Sequence, residues 1–220
     1  MKRITLGAMQ NPVRGFLHGV AALASVVGVA LLLARAPGGV GRIIALLIFG
    51  VSLFSMYVVS SLYHSFPWGD RWKARMQRLD HAMIFFLVAG TFTPIGAIVL
   101  DGWWRIATLS MIWAIAITGI ALKLWLTRVR TSLSVTLQMV MGWGALVPLF
   151  ELARRLDAAA IALTVAGGAC YTAGMIMFVS KRPRLFPRIF SYHEVFHILV
   201  IAGSTLHFLM ILWYVAPFTL

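Results

Sequence analysis

Apolar residues along this chain gather into seven long stretches, each closed by a short segment of turn-forming or charged residues. The stretches cover residues 16–34, 43–63, 82–100, 104–126, 133–150, 158–180 and 195–215. Between them lie Pro37-Gly38-Gly39, Pro67-Trp68-Gly69, Asp101-Gly102, Arg128 to Arg130, Arg154-Arg155 and Pro183 to Pro187. A helix rises about 1.5 Å per residue, so about 20 apolar residues cross a hydrocarbon core of about 30 Å. The pattern therefore predicts seven transmembrane helices forming one all-α bundle over residues 1–220. The gaps are too short to hold a further domain. Lys2 and Arg3 ahead of the first stretch resemble the start of a secretory signal. That stretch is longer than a signal's apolar core, and no small-residue cleavage site follows it, so it is read as a true span.

Composition agrees and narrows the class. Apolar types make up 61% of the 220 residues and charged types 11%, with a mean hydropathy of +0.91. Soluble domains are nearer half apolar and a quarter charged. Lys and Arg number 19 against six acids, a net charge of +13. In a soluble chain this would point to nucleic acid. Here the basic residues occupy short loops, and no basic domain large enough to dock on a duplex exists. With seven crossings, 14 basic residues fall on the N-terminal side and five on the other. The larger set is Lys2, Arg3, Arg14, Arg71, Lys73, Arg75, Arg78, Lys123, Arg128, Arg130, Lys181, Arg182, Arg184 and Arg188. The smaller is Arg35, Arg42, Arg105, Arg154 and Arg155. Basic loops stay in the cytoplasm, so the N-terminus is expected inside, the C-terminus outside, and the protein multi-pass in the plasma (inner) membrane. Trp68, Trp72, Trp103, Trp104, Trp125 and Trp213 lie near span ends, where indoles anchor at the interface. The lone Cys170 cannot form an internal disulfide and reads as a packing residue.

Ionisable groups at membrane depth are costly and point to function. His64 closes the second span, Asp80 opens the third, and His193 and His197 open the seventh. The predicted topology brings all four to the cytoplasmic end. His193 and His197, four residues apart, share one helical face, the spacing by which a helix gives two imidazoles to one metal. His64 supplies a third. Three neutral imidazoles leave the fourth tetrahedral position for water, as in a catalytic zinc site, where the water's pKa falls to about 7. Ser60 lies one turn before His64 and can orient a ligand or simply bond its own helix backbone. Asp80 reads either as the base that handles a proton or as a helix cap or ion-pair partner of Arg78 or Arg75. Ser60, His64 and Asp80 do not make a serine triad, since no G-x-S-x-G elbow is present. His81 is rotated away from Asp80 and is expected outside the site. His18 is expected at the interface, and Glu194 exposed or paired with Arg188. His207 lies about 15 Å deeper than His197 and cannot share its metal, though it can line a cavity. Thr91, Thr93 and Pro94 predict a kink, with the hydroxyls satisfying freed carbonyls.

Ser60-Ser61-Leu62-Tyr63-His64, Leu79-Asp80-His81-Ala82 and His193-Glu194-Val195-Phe196-His197 together resemble the hemolysin III family. This is the bacterial branch of the progestin and adipoQ receptor (PAQR) family, and the resemblance covers essentially the whole chain. It implies a seven-helix bundle with an inside N-terminus. It further implies an intramembrane zinc held by His64, His193 and His197, with Asp80 and Ser60 beside it. Relatives include alkaline ceramidases, so the resemblance implies zinc-dependent hydrolysis of an acyl lipid in membrane homeostasis. The long N-terminal domain of the animal receptors is missing, and adiponectin binding is not carried over.

Three functions follow as expectations. In a zinc-dependent lipid amidohydrolase, Asp80 manages the proton and Ser60 bonds the developing oxyanion. The other two are a membrane-state sensor with structural zinc, and a pore-forming hemolysin. Membrane lipids are the expected partners, with no nucleic acid and no protein partner implied. A retinal protein is excluded because the last span has no lysine, and a bis-histidine haem because His18 and His207 differ too much in depth.

Overall fold

The computed structural model describes residues 9–126, 131–144, 146–186 and 189–219. All regular structure among them is helical. The helices are α1 (Pro12–Arg35), α2 (Val40–Ser65), α3 (Asp70–Pro94), α4 (Gly102–Trp125), α5 (Thr131–Trp143), α6 (Leu146–Arg155), α7 (Ala158–Ser180) and α8 (Tyr192–Met210). Short π-helical turns, Ile95–Val99 and Ile211–Val215, continue α3 and α8. Seven helical segments are long and apolar enough to cross a membrane, with α5 and α6 together forming the fifth. The expected number of spans is present, and the chain is a multi-pass membrane protein.

Local sequence explains the boundaries. Pro12 starts α1, where its missing N–H costs nothing. Gly38 and Gly39 take φ of +102° and +93°, which residues with a Cβ avoid, and so turn the chain from α1 into α2. Ser191 and Glu194 form a reciprocal capping box that opens α8. Two boundaries differ from the hydropathy pattern. The third helix begins at Asp70, 12 residues before the apolar stretch that starts at Ala82, because a charged extension stays helical outside the apolar core. The fifth span carries a turn at Gly144, just after α5 ends at Trp143.

Consecutive spans pack antiparallel, and α8 returns to α1 to close the ring, while α5 meets α7 across the short α6. The third span is the most enclosed, with 67% of its apolar window buried against 11% for the sixth. Val20, Leu23, Val27, Ile117, Ile176 and others point outward, as expected of a surface bathed in lipid. Trp72, Trp103, Trp125 and Trp213 are exposed near helix ends, where anchors belong. Thr91 and Thr93 donate to the carbonyls of Leu87 and Ala89 at 2.8 Å each. The carbonyl one turn before Pro94 belongs to Gly90, so the hydroxyls do not serve it; the chain instead loosens into the π-helical turn that begins at Ile95.

The outcome is a bundle in which the C-terminal end of α2, the N-terminal part of α3, the end of α4 and the starts of α5 and α8 share one end.

Candidate metal centre

His64 sits in the last turn of α2, and His193 and His197 in the first two turns of α8. One ring nitrogen from each lies within 4.8 Å of the others. The ring centroids form a near-equilateral triangle: 5.2 Å from His64 to His193, 4.9 Å from His64 to His197 and 5.0 Å from His193 to His197. His64 and His197 are buried, and His193 is partly so. Nδ1 of His197 is buried without a hydrogen-bond partner among the described residues. A buried polar atom left open in this way is costly unless something outside the chain completes it. Three converging imidazoles fit a divalent metal of the zinc class.

Backbone contacts explain why these helices meet there. The N–H of Asn11 donates to the carbonyl of His64 at 3.0 Å, and Ser61 Oγ to that of Gly15 at 2.8 Å. These bonds fasten the start of α1 to the end of α2. Arg14 on α1 then reaches Glu194 on α8, Nε to Oε1 at 2.7 Å, while Oε2 accepts from the Ser191 N–H at 2.8 Å. Glu194 is therefore not exposed, and its expected pairing with Arg188 involves a residue outside the described ones. It is fully buried, because the turn that aims two histidines at one point aims the intervening carboxylate at α1.

The other expected residues gather beside the triangle. A cavity of about 70 Å³ is lined by His193, His197, Ser60 and Asp80. Ser60 is buried and shares the wall of this cavity with Asp80. Asp80 lies ten residues inside α3, so it is no helix cap, and Ser60 on the neighbouring helix lines the same cavity.

Two histidines stand where the sequence did not place them. His18 is buried, not interfacial, and its ring stacks on His197 with centroids 4.0 Å apart and planes 27° from parallel. The start of α1 is tucked against α2 and α8, which draws His18 inward. His81 lines the same cavity as Asp80, so it is not outside the site. His207 remains apart, its Nε2 3.1 Å from the Thr164 carbonyl and its ring against Tyr171.

Lys123, Ser134 and Gln138 also line the cavity and were not singled out. Lys123 closes an apolar run, so it reads as a loop charge. Gln138 was legible as a polar side chain inside a span.

Residues 7–208 match the haemolysin-III related family. The chain is 31% identical over 219 residues to Hemolysin-3 of Bacillus cereus, covering 99% of this chain and 97% of that protein. It is also 31% identical over 199 residues to the Hemolysin-3 homolog of Bacillus subtilis (strain 168), covering 90% of each. The chain belongs to the haemolysin III family. Membership joins it to the bacterial branch of the PAQR family, and the three motifs that suggested that family are the ones the fold brings to one end of the bundle. In this haemolysin III protein a buried cluster of three histidines can hold a metal, and a carboxylate and a serine line the cavity beside it.

Proposed function

We propose that this haemolysin III protein is a zinc-dependent hydrolase of an acyl lipid, working from the cytoplasmic side of the plasma membrane. The observation that carries the reading is the arrangement of His64, His193 and His197 around one point, with a carboxylate facing the same small cavity. Catalytic zinc sites pair three protein ligands with an open position, whereas structural sites are closed by four. A zinc ion held by the three imidazoles supplies Lewis acidity, polarising a carbonyl oxygen and making water a stronger acid.

The chain's own residues supply the rest. Asp80 takes a proton from the attacking water and returns it to the leaving nitrogen or oxygen. Water's oxygen bonds to the acyl carbon, the acyl–heteroatom bond breaks, and a carboxylic acid and a protonated leaving group result. Ser60, beside Asp80 in the cavity wall, orients the carboxylate through its hydroxyl, so its proposed part moves from the oxyanion to the base. His18, stacked on His197, fixes the plane of that ligand ring. The cavity of about 70 Å³ takes an acyl carbonyl and its neighbours, since a water-sized group needs about 10–15 Å³. A whole lipid does not fit, so its chain must run out between helices, past apolar linings such as Met56, Phe178 and Val200.

Elemental mass spectrometry of detergent-purified protein tests the first step. About one zinc per chain is expected, and His193→Ala should lose it. In an acyl-lipid hydrolysis assay, Asp80→Asn should keep the metal while turnover falls by about 100-fold or more. Folded wild-type protein without metal, or full turnover in Asp80→Asn, would sink the mechanism. Bound metal with no product from any acyl lipid would leave a sensor with structural zinc.

A further inference from the structure

The mechanism above uses the groups contributed by α1, α2 and α8, together with Asp80. The wall contributed by α3, α4 and α5 carries a second polar set: His81, Lys123, Ser134 and Gln138. Lys123 is 8% exposed, Gln138 8% and Ser134 5%, although each belongs to a helix of a membrane-spanning segment. An ammonium group lining such a largely covered cavity is normally matched by a counter-charge. Ion pairs among the described residues join Arg14 to Glu194, Arg154 and Arg155 to Glu151, and Arg155 to Asp101. Lys123 belongs to none of them, and no described residue is hydrogen-bonded to it or to Gln138.

Asp80, the acid that shares the cavity, forms no ion pair with Lys123. His81 lies within electrostatic reach of the lysine and brings no negative charge. The three candidate metal ligands are imidazoles and bring none either. The cavity is thus lined by a lysine, a side-chain amide and a hydroxyl from adjacent helices, with no carboxylate ion-paired to the lysine among the described residues. Ammonium and amide N–H groups are donors, which suits an oxyanion. They lie near the ends of membrane-spanning helices and on the same cavity as the histidines, which favours a lipid over a soluble anion.

We propose that Lys123, with Gln138 and Ser134 beside it, binds an anionic oxygen group, phosphate or carboxylate, carried by a membrane lipid. Lys123 supplies the charge, and Gln138 and Ser134 fix the orientation. As a statement about the substrate, this rests on the hydrolase reading and narrows it to lipids that carry a negative charge near the acyl carbonyl. As a statement about binding, it stands without that reading.

Equilibrium binding of radiolabelled single-chain lipids to the full-length protein in neutral detergent decides it. Three probes share one acyl chain: an uncharged monoacylglycerol, its phosphate monoester, and the free fatty acid. At least one anionic probe should bind about tenfold tighter than the neutral one, or about 1.4 kcal/mol. Which of the two leads distinguishes a phosphate headgroup from a carboxylate. Lys123→Met should level the probes while leaving monoacylglycerol binding within about twofold, and Lys123→Arg should retain most of the preference. Gln138→Leu, which keeps the lysine, should weaken the preference by about threefold.

Equal binding of all three probes to wild type, or a preference that survives Lys123→Met, would overturn the proposal. So would loss of metal or of neutral-lipid binding in Lys123→Met, since the lysine would then be holding the site together. Wild-type protein that carries no metal yet prefers the anionic probes would retain this proposal and remove the hydrolase.

Discussion

The carboxylate of Glu194 faces away from the cavity, yet both its oxygens are committed. Oε1 accepts from Arg14 at 2.7 Å and Oε2 from the Ser191 N–H at 2.8 Å. One residue therefore caps α8 and ties it to α1, with candidate ligands His193 and His197 on either side of it. Removing one partner of a buried pair typically costs about 3–5 kcal/mol, because the other charge is stranded. Glu194→Ala is expected to lose stability on that scale in chemical denaturation, and to release zinc about 10–100-fold more readily to a chelator. Glu194→Gln, which can still accept from Ser191, should fall between. Zinc retention unchanged in Glu194→Ala would show that the start of α8 is set without this clasp. The two ligands on either side were legible in the sequence because a spacing of four puts side chains on one helical face. Glu194 and His18 were not. Depth along a helix follows from hydropathy, but rotation towards a neighbour follows from packing, which the hydropathy pattern does not encode.

At the level of elements, the opposite end of the bundle is held by arginines. Arg155 at the end of α6 grips Asp101 with both Nη atoms, at 2.8 and 2.9 Å, and adds the Val99 carbonyl at 3.2 Å and Glu151 at 2.7 Å. Arg105 donates to the Leu100 carbonyl at 2.7 Å, and Arg42 to that of Ala216 at 2.8 Å. These carbonyls lie at or just beyond the π-helical turns that end α3 and α8, where regular helix bonding runs out. The Asp101 carboxyl is held below its ordinary value, chiefly by its hydrogen bonds from Arg155 and then by the charges of Arg155 and Arg105. A depressed folded-state pKa stabilises the fold above the unfolded value, about 3.9, and that contribution disappears as pH falls through the folded value. Thermal unfolding in detergent should show Asp101→Asn less stable than wild type at neutral pH, with the gap closing only below about pH 4. A gap constant down to acid pH would assign the effect to hydrogen bonding of the neutral side chain. Element ends were the least legible part of the fold. The helical extension Asp70 to Arg78 is too charged to register as a span, and the turn at Gly144 lies inside an unbroken apolar run.

Across the whole molecule, the arginine clasps sharpen the charge asymmetry. Of the five basic residues on the C-terminal side, Arg42, Arg105 and Arg155 are spent on carbonyls and carboxylates of the fold. On the other side, Arg71, Lys73 and Arg75 stand exposed on the charged extension of α3. Free basic charge near span ends biases a segment towards the cytoplasm, so the effective imbalance exceeds 14 to five. The expected orientation has the N-terminus inside, the C-terminus outside and the histidine triangle at the cytoplasmic end. Alkaline phosphatase fused after Leu220 should then be active in bacterial cells and a green fluorescent protein at the same position dark, with the opposite pattern for fusions in the Pro67-Trp68-Gly69 loop. The reverse outcome would place the candidate metal centre at the outer face. The lipid read by Lys123 would then belong to the outer leaflet, and a product released there would not enter the cytoplasm. Orientation thus decides which leaflet supplies the substrate, and with it which lipids are worth testing.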